Sequence, residues 1–138
     1  MNYGRILLAA VGGMVVFFIL GALIQATPLA KMYGAYPGVY REKEAIMSRM
    51  PIGMSGMFVA ILAVTLIYAM SYSGGSGIAA GARLGLLVGI FAACAFEAHS
   101  FTILNIGGKL ALGLAAAAIV QWTVIIIAIG LIYKPFPN

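Results

Sequence analysis

The sequence has little charge: no aspartate, three glutamates and eight lysines and arginines in 138 residues. Charged residues make up 8% of the chain, against about 25% in an ordinary soluble domain. A globular fold in water needs a charged surface, so this scarcity excludes a soluble enzyme. Hydrophobic residues at 64% exclude a disordered chain. The formal charge of +5 comes from scattered bases. They form no phosphate-tracking stripe, which excludes a nucleic-acid reader.

Other residues are scarce as well. The single cysteine, Cys94, cannot close an intrachain disulfide. It lies in an apolar run and reads as a small packing residue. The single histidine, His99, cannot build a zinc site, which needs three or four ligands. There is no Ser-His-acid set, no HExxH, no CxxC and no Walker loop. No metal site is expected, and the chain is not expected to be an enzyme.

Four long apolar runs fill the chain instead: residues 6–26, 51–72, 78–104 and 110–133. Each reaches the ~20 residues needed to cross a bilayer. The expected fold is all-α: a polytopic membrane protein with a four-transmembrane-helix antiparallel bundle, as one domain over residues 1–138. The first run is longer than the 7–15 residues of a signal-peptide core and has only Arg5 before it. It is expected to be retained as the first span. Pro51 suits the first turn of the second span, and Pro135 and Pro137 follow the fourth.

The connections differ in character. Residues 27–50 form a polar loop with Lys31, Arg41, Glu42, Lys43, Glu44 and Arg49, interleaved with Tyr33, Tyr36 and Tyr40. Residues 40–49 are expected as a short interfacial helix, with tyrosine and lysine at headgroup depth. The later loops are short, around Gly74-Gly75 and Gly107-Gly108, so spans 2, 3 and 4 are expected as antiparallel neighbours. Both termini then share one side with Arg5, Arg83 and Lys134; Lys31, Arg41, Lys43, Arg49 and Lys109 occupy the other. The positive-inside rule places loop 27–50 in the cytoplasm, across a bacterial inner membrane.

Small residues are the clearest pattern. Gly77, Gly81, Gly85 and Gly89 recur every fourth residue along span 3, and Ala93 continues the row. In lipid, close backbone approach at small residues replaces the hydrophobic drive between helices. Gly13 and Gly21 in span 1, Gly56 in span 2, and Gly113 and Ala117 in span 4 are the corresponding packing positions. The span 3 row is longer than one neighbour requires, so a groove facing a second protein or a flat ligand is a further expectation there.

Glu97, His99 and Gln121 are the polar residues in the apolar runs that bear on function. Glu97 is the only acid outside the long loop. It is either a proton-titrating or ligand-anchoring group, acting with His99, or an interfacial carboxylate paired with Lys109 or a loop base. His99 is either an interfacial hydrogen-bonding residue or one axial ligand to a haem or chlorophyll-type pigment. Gln121 is expected to hydrogen-bond between helices.

The stretch from Arg83-Leu-Gly-Leu through Ala95-Phe-Glu-Ala-His-Ser-Phe-Thr-Ile-Leu104 to Gly107-Gly-Lys109 resembles small four-span bacterial integral membrane proteins grouped as a domain-of-unknown-function family. Glu97 falls where that pattern has an acid. The family's acids in span 1 and before the span 4 tryptophan have no counterpart here. The resemblance implies a four-span fold in a membrane and no activity.

The reading that follows is a non-catalytic accessory or structural subunit of a larger membrane assembly. Its partners are the lipid bilayer, with bound lipids, and other membrane subunits or further copies of itself. A small oligomeric transporter or channel coupled through Glu97 is the second reading. A haem- or pigment-binding subunit using His99 is the third.

Overall fold

The computed structural model describes residues 2–133. Lys134, counted above toward orientation, and Pro135 and Pro137 lie outside the described residues. The chain is an integral membrane protein with four spans. They are Tyr3–Gln25, Lys43–Ser71, Gly77–Ile103 and Gly108–Ile132. The helices are α1 (Tyr3–Gln25), α2 (Pro28–Tyr33), α3 (Lys43–Ser71), α4 (Gly77–Ala92), α5 (His99–Ile103) and α6 (Gly108–Ile132). A π-helical turn, Ala93–Ala98, joins α4 to α5 within the third span.

Helix α3 differs from expectation. It begins at Lys43, eight residues before Pro51, and Pro51 lies inside it. Residues 40–49 are therefore not a separate interfacial helix. Lys, Glu, Ala and Met are good helix formers, and a helix of 29 residues spans about 43 Å. Its charged first turns project past ~30 Å of hydrocarbon. The Ser55 hydroxyl donates to the Pro51 carbonyl at 2.8 Å.

The tightest helix pair is α4 on α6. A Cβ added at Gly81 meets the Ile126 carbonyl oxygen at 2.7 Å. At Gly85 it meets the Thr123 Cα at 2.7 Å, and at Gly89 the Ile119 Cα at 2.8 Å. Gly77 and Gly130 abut through their backbones. Every glycine of the row therefore faces the backbone of one neighbour. The expected groove for a second protein or a flat ligand is filled by α6 instead, whose backbone stays against the row from Gly130 at one end to Ile119 at the other. Ala93, at the start of the π-turn, is buried.

On its other side α6 meets α1, and α3 packs against α1 and not closely against α4, so spans 2 and 3 are joined by a short turn without being the packed neighbours expected. The core that α1, α3 and α6 share joins Ile6, Ala9 and Ala10 of α1, Ile61 and Tyr68 of α3, and Ile125, Ile126 and Ile129 of α6. Gly13 lets Ile61, Ile125 and Ile129 converge on α1. Trp122 packs on the rim of this core. The buried residues of this cluster belong to the half of the bundle near the chain termini. The buried Thr65 hydroxyl donates to its own helix at Ile61, at 2.7 Å, as lipid surroundings demand of polar groups.

The other half is splayed. Gly21 and Gly53 each lie eight residues beyond the Gly13–Ile61 contact, ~12 Å along antiparallel helices. Nothing lies within 4 Å of a Cβ at Gly21, Gly53 or Gly56. Gly21 and Gly56, expected as packing positions, thus have no neighbour there, because α1 and α3 diverge. A smaller cluster caps this end: Ile106, Leu110 and Ala111 under Leu29, Met32 and Tyr36. Gly113 admits Leu29, which seats α2 on α6.

Replacing Gly85 with alanine forces α4 from α6 and is expected to cost about 1–3 kcal/mol. The same change at Gly56 is expected to cost nothing and to gain up to about 1 kcal/mol of helix propensity. Unfolding of both variants in mild detergent checks the contrast.

Candidate functional site

The π-turn carries the acid. Ala92 and Ala93 pack inward, while Glu97 is half-buried at the outer flank. One extra residue per turn rotates everything after it by ~100° relative to α4. The third span has 27 residues, about 40 Å, so roughly 5 Å at each end passes beyond the hydrocarbon. Glu97 lies six residues from one end and Arg83 six from the other. Each is therefore a few ångströms inside the hydrocarbon boundary, on opposite faces of the membrane.

Above Glu97 sits a tyrosine cluster from the first loop. The Tyr33 and Tyr40 rings meet edge to face, with centroids 4.7 Å apart. The Tyr36 hydroxyl accepts from the Gly107 backbone N–H at 2.8 Å and ties the loop to the start of α6. Gly107 leaves room for that hydroxyl, since a Cβ there would collide with it. Tyr33, Tyr36, Tyr40, Arg41 and Lys43 line a recess of about 490 Å³.

The Tyr33 phenol is raised above its ordinary value of 10.0, by burial first, then by Tyr40 and Glu97. Tyr40 is raised by burial, then by Glu97 and Tyr36. The carboxylate therefore acts on both phenols through space. Among the described residues no base is within ion-pair distance of Glu97, so the expected pairing with Lys109 or a loop base is not formed.

The three sequence candidates do not converge. Gly89 meets Ile119 and Gly85 meets Thr123, so Gln121 is level with about residue 87, ~15 Å short of Glu97 along the bundle. Its side chain instead donates from Nε2 to the Phe17 carbonyl at 3.5 Å, across to α1. Ala117 lines an apolar groove of about 340 Å³ with Leu20, Leu23 and Gln121. His99 is exposed on α5. No three His, Cys, Asp or Glu residues come together among the described residues. What sequence reasoning passed over is the pairing of Tyr33 with Tyr40 near Glu97. Their spacing of seven in a loop gave no periodic signal, and only the fold of the loop over α6 pairs them.

This arrangement offers one half-buried carboxylate and two phenols at headgroup depth. It can hold a proton or a cation at the boundary, with phenol rings as additional cation-attracting faces. It has no nucleophile with an adjacent base. No family model, no curated protein and no solved structure matches the chain.

A phenol raised in the folded state adds stability that is complete below its ordinary value. That stability is lost as pH rises through the folded value. The loop cap is therefore expected to loosen only in strong alkali. A tyrosinate absorbance titration is expected to show a late-ionising fraction that shrinks in Tyr33→Phe and moves to lower pH in Glu97→Gln.

Proposed function

We propose that the protein is a non-catalytic accessory or structural subunit of a larger membrane assembly, in a bacterial inner membrane with loop 27–50 toward the cytoplasm. One observation carries this reading. Residues 43–56 of α3 stand clear of both apolar clusters among the described residues. Within that stretch Gly53 and Gly56 face open space. Every glycine of the α4 row has been taken up inside the chain, whereas these two have not. Small residues in a membrane helix are where a second helix approaches most closely. Met47, Met50 and Met54 flank them as exposed, adaptable apolar contacts.

A second reading has its own support: an oligomeric transporter or channel in which Glu97 couples to protons or cations. Glu97 lies in a π-turn, a feature frequent at functional sites, with no ion-pair partner among the described residues. A haem or pigment on His99 would give absorption bands beyond the aromatic region in the purified protein.

Native purification in mild detergent separates the first two readings. The subunit reading expects a partner to co-migrate with the chain. It expects Gly53→Leu combined with Gly56→Leu to release that partner while leaving unfolding in detergent unchanged. A lone chain that moves protons across liposomes, and stops doing so as Glu97→Gln, establishes the second reading and removes the first.

A further inference from the structure

On the terminal side of the membrane, the end of α3 and the start of α4 diverge around a cleft of about 440 Å³. The intervening turn relies on Gly74 and Gly75, whose φ angles of +102° and +91° only glycine adopts readily. The cleft has a polar end and an apolar end. Arg83, Ser73 and Ser76 supply the first; Ala80, Leu84 and Leu87 supply the second.

The polar end is rich in donors and, among the described residues, has no acceptor of matching charge. Arg83 has no ion pair or hydrogen bond among the described residues. The chain has three acids, Glu42, Glu44 and Glu97, and all lie toward the opposite face of the membrane. Ser76 Oγ accepts from the Ala79 backbone N–H at 3.4 Å, which leaves its own proton free to donate. The Ser73 hydroxyl is likewise without a partner among the described residues. Arg83 lies six residues from the start of α4, ~9 Å, a depth from which a guanidinium reaches up toward the headgroups. A cation left without a counter-charge at this depth is costly.

We propose that this cleft binds the phosphate of an anionic phospholipid. The phosphate accepts from the Arg83 guanidinium and the Ser73 and Ser76 hydroxyls. One acyl chain runs along Leu84 and Leu87. The fork of guanidinium donors suits a phosphate better than a point charge does. The apolar floor selects a lipid over free phosphate, because a small ion leaves Leu84 and Leu87 uncovered. The proposal is independent of the subunit reading, which rests on the opposite half of α3.

Native mass spectrometry of the detergent-purified chain tests it. The added probes are phosphatidylglycerol, diacylglycerol with the same acyl chains, and inorganic phosphate. Phosphatidylglycerol is expected to remain bound and diacylglycerol to be lost. Arg83→Gln is expected to lower phosphatidylglycerol occupancy about tenfold, the scale of one charge-assisted hydrogen bond. Ala79→Phe fills the cleft with the charge intact and is expected to lower it as well. Arg49→Gln, on the other face, leaves it unchanged. An unchanged unfolding transition shows that the variants are folded. The proposal is overturned if Arg83→Gln retains wild-type occupancy, if diacylglycerol binds equally, or if inorganic phosphate displaces the lipid.

Discussion

The contact on which the bundle depends is backbone against backbone. Along four turns of α4, glycine removes the side chain that would otherwise hold α6 away, and carbonyl oxygens and Cα atoms of Ile119, Thr123 and Ile126 occupy the vacated space. In water such a pair would owe its stability to buried apolar area. In lipid the tails are as apolar as the helices, so the gain comes from dispersion at close range. This makes α6 the centre of the molecule, with α4 fixed on one side and α1 on the other.

From that centre the packing is unequal along the membrane normal. The terminal half carries the buried core of Ile6, Ile61, Tyr68 and Ile126. The loop half holds the small cap at Leu110 and the buried Ala92 and Ala93, and α3 leaves the bundle there. A membrane bundle held at one end and open at the other keeps grooves that lipid tails or helices of other chains fill. The polar groups follow the same division. Thr65 in the tight half bonds its own helix, whereas Glu97 in the open half meets phenols only through space.

The third span places two charges symmetrically, and their surroundings separate them chemically. Glu97 sits under a tyrosine pair on the face that also carries the loop bases. Arg83 sits in a cleft on the face that has no acidic side chain among the described residues. Neither can satisfy the other across ~21 Å of helix. Each therefore looks outward, toward headgroups, ions or partners.

Composition and run length by themselves determined four apolar helices in a bilayer, since no soluble fold accepts 8% charged residues in this pattern. The spacing of four in Gly77, Gly81, Gly85 and Gly89 marked a close helix contact, because that spacing repeats nearly once per turn. Which helix would fill it was a tertiary matter. The answer, α6 alone, depends on how the spans pack together, which no single segment encodes. The start of α3 at Lys43 was equally hidden, because Pro51 is compatible with a first turn and with a helix interior. The π-turn at Ala93–Ala98 and the approach of Tyr33 to Tyr40 left no periodic trace. The tyrosine contact arises from how the loop folds over α6. Sequence singled out Glu97 and left open whether it was intramembrane or interfacial; only the packed structure set its surroundings apart from those of Arg83, whose guanidinium has no partner among the described residues.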